Sequence, residues 1–141
     1  MEALKRICLL LVIIFVITGC GLSDWSYELV GGYAITHCNS QDIRLSKHTD
    51  MDGFYSIVIP NFRVEEFRFN DRYIGLRTIR YNGMRTEEQK IGIGIQAYFL
   101  VDTFSDQICG PFVNRAAFEA QCLEWDTGDM GIWRSTDKEP V

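Results

Sequence analysis

The chain has 141 residues, 14 basic and 19 acidic, with a net charge of −5 and an apolar fraction of 47%. That is one domain's length with enough apolar side chains to build a core, which excludes a disordered tail protein. The acidic balance argues against nucleic acid and against electrostatic attachment to anionic lipid.

The N-terminus reads as an export signal. Lys5 and Arg6 precede the apolar run Ile7 to Ile17, and Thr18-Gly19-Cys20 follows. A positive head, an apolar middle and small residues at a cleavage point make a secretory signal. The run is well short of the roughly 18 residues a membrane-spanning helix needs. Ile17-Thr18-Gly19-Cys20 resembles the lipobox of bacterial lipoproteins, with Ile where Leu is usual and Thr where Ala or Ser is usual. The resemblance implies that a signal peptidase reads Ile17, Thr18 and Gly19, removes residues 1–19, and leaves a diacylglyceryl group on Cys20. Two acyl chains suffice for stable attachment, where one gives only marginal binding. Residues 20–28 then read as lipidated cysteine and tether, 29–134 as one domain, and 135–141 as a frayed tail. The processed chain carries 12 basic and 18 acidic residues.

The body reads as strands and turns. Tyr33 to Cys38 precedes Ile43 to Lys47, where Ile43 and Leu45 share one face and Arg44 and Ser46 the other. Phe54 to Ile59 is a further strand, ended by Pro60. Val64 to Phe69 and Tyr73 to Ile79 flank Asn70-Asp71, a hairpin signal. Ile91 to Val101 alternates most clearly. Ile91, Ile93, Ile95, Ala97, Phe99 and Val101 fall on one side, and Gly92 and Gly94 point to a bulge or a close backbone approach. The turn Asp102 to Asp106 leads into the strand Gln107 to Phe112. Asn114 can cap a helix over Arg115 to Leu123, with Phe118 and Cys122 on its apolar stripe, extended by Ala117, Ala120 and Leu123, and Trp125 packing at its end. The expected fold is mainly β (α+β): one antiparallel meander of about six or seven short strands with one C-terminal helix on or beside it.

Gly21 to Leu29, with Trp25 at its centre, together with Asn70 to Gly75 and Tyr98 to Thr103, is similar to a group of small Gram-positive lipoproteins that share a domain of unknown function. The resemblance implies an anchored single domain and assigns no catalytic residue.

Chemistry is thinly marked. His37, Cys38 and His48 could form a nucleophile pair or a metal site, but their spacing matches no common ligand pattern. Asp50-Met51-Asp52-Gly53 and Glu124 to Asp129 are acidic turns without the order of a calcium loop. Glu65-Glu66 and Glu87-Glu88 are adjacent pairs that would face opposite ways on a strand, unlike a glycosidase pair. Cys38, Cys109 and Cys122 remain after Cys8 and Cys20 are set aside, and either a Cys109–Cys122 bridge or buried free thiols fit. No cofactor and no metal site is indicated. Residues 61–90 hold seven basic and five acidic residues. Arg72, Arg77 and Arg80 with Tyr73 are the candidate protein-binding residues, since Tyr and Arg dominate interface hot spots. The expectation is a non-enzymatic lipoprotein on the extracytoplasmic face of the cell membrane, binding another envelope protein. Self-protection against a toxin or lytic enzyme is the alternative, and a small envelope hydrolase a weaker one.

Overall fold

The computed structural model describes residues 25–39, 42–49, 55–80, 94–138 and 140. Cys20 with its lipobox, the acidic turn Asp50-Met51-Asp52-Gly53, Phe54 of the strand expected after it, the Glu87-Glu88 pair, and Ile91, Gly92 and Ile93 of the expected long strand lie outside the described residues.

Strands β1 (Trp25–Glu28), β2 (Tyr33–Asn39), β3 (Asp42–His48) and β4 (Tyr55–Ile57) form one antiparallel sheet in that order. Strands β5 (Phe62–Phe69), β6 (Tyr73–Arg80), β7 (Gln96–Asp102), β8 (Gln107–Phe112) and β9 (Arg134–Ser135) form a second, ordered β8-β7-β6-β5-β9. Helix α1 (Arg115–Glu124) lies between β8 and β9 in the chain. The fold is therefore mainly β, with a helix that follows β1 to β8 and precedes the short β9, as the strand alternation and the helix signals together predict. The single meander of six or seven strands becomes nine strands in two sheets among the described residues. The break falls after β4, where Pro60 and Asn61, the latter in the left-handed region at φ 66°, turn the chain out of the first sheet.

Both ends of the expected domain extend further than the sequence indicates. Trp25–Glu28, assigned to the tether, is an edge strand paired with Ala34 to His37. Its apolar side chains hold it there: Trp25 stacks on His37 at 5.0 Å, and Tyr27 lies 5.5 Å from Phe67. Gly31 and Gly32, at φ 65° and 78°, supply the left-handed turn into β2. At the other end, Ser135 pairs with Glu66 and Thr136 is 3% exposed, so both belong to the folded body and not to the expected tail. The Thr136 amide and hydroxyl donate to the Glu65 carbonyl at 3.0 and 3.1 Å. They satisfy the residue left over where the β5–β6 register shifts between Val64 and Glu66.

The second sheet is buried on both faces. Phe67, Ile74, Leu76, Ala97, Phe99 and Val101 meet Tyr33, Ile35, Ile43 and Leu45 of the first sheet in the main core. The alternate residues Tyr73, Tyr98 and Leu100 form a second core with Phe118, Cys122 and Met130. Asn114, extended at φ −152°, caps α1 by accepting from the Ala117 amide at 2.8 Å. Phe118 and Cys122 are buried as expected, but Leu123 is 83% exposed and leaves the stripe. Ile95 also departs from its expected face, being 58% exposed beside the Gly94 turn at φ 83°. Among the described residues nothing lies within 4 Å of a Cβ built on Gly94, so what they show for it is this backbone angle and not a close approach.

Candidate functional site

The structure does not bring Arg72, Tyr73, Arg77 and Arg80 together as one surface. Arg72 and Arg80 stand at opposite ends of β6, roughly 26 Å apart at the usual strand rise. Arg72 is committed to Asp102 through two parallel bonds, Nε to Oδ1 at 2.9 Å and Nη2 to Oδ2 at 2.7 Å. Its guanidinium also lies 4.9 Å from the Tyr73 ring and 5.0 Å from the Phe104 ring. Arg77 donates to Glu66 at 2.6 Å, and Tyr73 is buried against Trp125. Arg80 alone of the four is exposed.

Cys38 and His48 are likewise separated. The β2–β3 register pairs Tyr33 with Lys47 and His37 with Ile43, which puts Cys38 and His48 at opposite ends of the hairpin. His37 belongs to the stack under Trp25. Among the described residues no three His, Cys, Asp or Glu side chains come together as a metal-ligating group. Cys109 and Cys122 are free thiols, and burial pushes both thiol pKa values up.

Two constellations emerge that the spacing did not mark. The first clamps the sheets together at one end of the molecule. Asp106 accepts from the Tyr33 hydroxyl at 2.7 Å and pairs with Lys47 at 2.6 Å. Thr103 donates its hydroxyl to the Arg72 carbonyl at 2.6 Å and sits against Gly31, where an added Cβ would come within 2.8 Å of it. The bonds from Arg72 hold the Asp102 carboxyl well below the usual carboxylate range, helped by the Phe104 amide and the Ser105 hydroxyl. Lys47 and then Tyr33 lower Asp106, while burial, followed by Asp106 itself, raises Tyr33. Arg72, Lys47, Tyr33 and Thr103 each donate to an acceptor within the clamp, which is the chemistry of a structural joint.

The second constellation is a depression beside the C-terminal end of α1, about 410 Å³, lined by residues of β5, of α1 and of the loop after it. Arg68 forms one wall. Its Nη2 donates to both Glu119 oxygens at 2.9 and 3.0 Å, and its guanidinium lies 4.7 Å from the Trp133 ring and 5.2 Å from Phe118. Asp126 and Asp129 also line it, with exposed Leu123 at its rim and buried Met130 in its floor. The loop is fixed from outside. The Asn70 side-chain amide donates to the carbonyls of Thr127 at 2.8 Å and Asp129 at 3.2 Å. The same Asn70 closes its own hairpin by accepting from the Arg72 and Tyr73 amides.

The helix end itself is a Schellman arrangement. Thr127 N–H donates to the Cys122 carbonyl at 3.0 Å, and Asp126 N–H to the Leu123 carbonyl at 3.1 Å. Glycine normally takes the left-handed position of this motif, but Asp126 occupies it at φ 50°. Glu124 stands in the last turn, which holds no basic residue. Carboxylates at a helix C-terminus oppose the macrodipole, so this end breaks two local preferences at once.

Comparison with protein-family models, with curated proteins and with solved structures returned no match.

Proposed function

We propose that the protein is a non-enzymatic binding module, anchored through a lipid on Cys20 to the extracytoplasmic face of the cell membrane, and that it engages another envelope protein. The observation that carries the binding reading is where apolar surface is left open. Val113 (83% exposed), Leu123 (83%) and Ile132 (78%) are the three most exposed large hydrophobics among the described residues; the first two stand at opposite ends of α1 and the third just before β9. Val113 borders a hollow with Phe62, Arg80 and Ile95, and Leu123 borders the depression at the C-terminal end of α1, so exposed apolar side chains stand beside concave surface, which favours an interaction site. The frame beneath them is rigid, with two packed cores and clamped sheets, which suits a surface that binds without rearranging.

The anchor reading rests on Lys5, Arg6, the apolar run and Thr18-Gly19-Cys20. It fits the geometry of the body. Trp25, five residues after Cys20, pairs with His37, whereas Tyr33, four residues away on β2, meets Asp106 in the clamp. Trp25 therefore lies roughly 13 Å along the sheet from the clamped end. The turns at 70–72 and 103–106, and the 126–129 loop bonded to Asn70, belong to that distal end.

In-cell crosslinking tests the proposal, with membrane fractionation, labelled palmitate incorporation and a Cys20→Ala control. Wild-type protein should incorporate label and yield one envelope protein as its crosslinked partner, both lost in Cys20→Ala. Label in the Cys20→Ala chain would refute the anchor. Repeated absence of a partner with wild-type protein confirmed at the membrane would refute the binding module.

A further inference from the structure

Resting on that reading, we propose that the depression at the C-terminal end of α1 is the docking site, and that its occupant is a partner-protein segment in which basic residues flank an aliphatic one. Three carboxylates line it, those of Glu119, Asp126 and Asp129, against the one guanidinium of Arg68. That leaves two net negative charges at the wall, with Glu124 and the negative end of the helix dipole beside them. A cationic side chain arriving here meets a field set by the fold. The rim supplies the apolar half of the complementarity, since Leu123 stands out from the helix into water and can cover an aliphatic side chain seated on the floor made by Met130.

Two further features favour a bound polypeptide. The loop that carries Asp126 and Asp129 is held in one shape by the two Asn70 bonds and by the Schellman bonds, so little conformational entropy remains to be lost on docking. And the local choices that set the charge are unfavourable for the isolated fold: an aspartate in the left-handed position glycine prefers, and acids without bases at a helix C-terminus. Natural sequences keep such conflicts mainly where function requires them. The acids whose carboxylates the clamp uses, Asp102 and Asp106, lie elsewhere and are already matched by cations, so the site's unmatched charge belongs to the depression and its surroundings.

The test is an anisotropy titration of the full chain in a non-ionic detergent with three labelled eight-residue peptides. One alternates paired lysine and paired leucine, one replaces lysine with glutamate, and one replaces leucine with serine. The lysine–leucine peptide should bind most tightly and weaken as salt rises from low to physiological strength. Leu123→Ser, and separately the double variant Asp126→Asn with Asp129→Asn, should each weaken it roughly tenfold, about 1.4 kcal/mol. Asparagine tolerates the left-handed region and keeps the Asp129 acceptor for the Gly131 amide, so these variants should retain wild-type near-UV circular dichroism. Ser26→Lys, on the exposed edge of β1, is the control and should change nothing. Equal binding of the three peptides, or folded variants that bind as wild type does, would overturn the site. A partner captured in cells equally well by wild type and by Leu123→Ser would also overturn the site while leaving the binding module standing. Peptide discrimination without any cellular partner would leave the site and remove the module.

Discussion

Gly75 and Phe118 make a prediction that tests the second core directly. A Cβ built on Gly75 would lie 2.8 Å from Phe118 Cζ, where ordinary carbon contacts are about 3.5–4.0 Å. Phe118 is fully buried and cannot swing away, because Tyr98, Trp133 and Phe112 surround its ring at 5.7, 5.7 and 6.3 Å. Gly75→Ala in the wild type therefore forces a shift of ring or strand and should cost about 1–3 kcal/mol, the usual range for overpacking. Phe118→Leu removes three side-chain carbons and, at about 0.8 kcal/mol per buried carbon, should cost about 2 kcal/mol. Leucine has no atom where Cζ stood. In that background Gly75→Ala should be nearly neutral, or stabilising by about 0.5 kcal/mol through reduced backbone freedom in the unfolded chain. The double-mutant cycle should then show a compensating interaction energy of about 1–3.5 kcal/mol, read from urea unfolding followed by near-UV circular dichroism. Additivity within about 0.5 kcal/mol would mean the two residues do not touch, and the placement of α1 on β6 would be wrong.

The clamp and the hairpin make two more predictions. Asp102 has its pKa lowered on folding, so its stabilising contribution is complete above the unfolded value of about 4 and is lost as pH falls through the lower folded value. Asp102→Asn should flatten the decline of Tm between about pH 4 and pH 2 without abolishing it, because Asp106 is lowered too; identical slopes for variant and wild type would count against the pairing. Asn70→Ala removes two acceptor contacts and two donor contacts, and should cost about 2 kcal/mol. It should also speed amide exchange at Arg72 and Tyr73, so unchanged exchange there would show that the side chain does not hold the turn.

How much of this was legible depends on the distance over which each signal acts. Alternation placed Ile43 and Leu45 inward, the Asn70-Asp71 turn located a hairpin, and Asn114 with Phe118 and Cys122 gave the helix and its buried stripe. These are local effects, encoded within a few residues. Alternation does not say which sheet a strand joins, so one meander was expected where the chain divides at Pro60-Asn61. Nor did it show that Tyr98 and Leu100, on the second face of β7, lie under a helix. The arginines show the same limit. Arg72 and Arg77 stood out by type, yet each is taken by a carboxylate distant in sequence, Asp102 at 30 residues and Glu66 at 11. Arg68 was not singled out, although it walls the depression through Glu119, 51 residues away. The trace the sequence did hold was the run Glu124 to Asp129: acidic where a helix end favours glycine and basic residues. It reads as a solvated turn until the structure sets it beside Leu123 and Arg68.

That run also sets stability against binding in one residue. Replacing Asp126 by glycine relieves a non-glycine side chain of the left-handed region and removes a negative charge from a helix C-terminus. The first gain is about 1 kcal/mol and the second about 0.3–1 kcal/mol. Glycine's greater freedom in the unfolded chain offsets about 0.5–1 kcal/mol of this. Asp126→Gly should therefore stabilise the protein by about 0.5–1 kcal/mol, a rise in Tm of a few degrees. The same change should weaken the lysine–leucine peptide, because the charge that burdens the fold is the charge the peptide meets. Thermal unfolding and the anisotropy titration on one preparation read both effects. A variant that is more stable and binds equally well would show that Asp126 is not part of the docking surface. A variant that is less stable would show that the aspartate serves the helix end itself, and the case for a binding role at this position would fall with it.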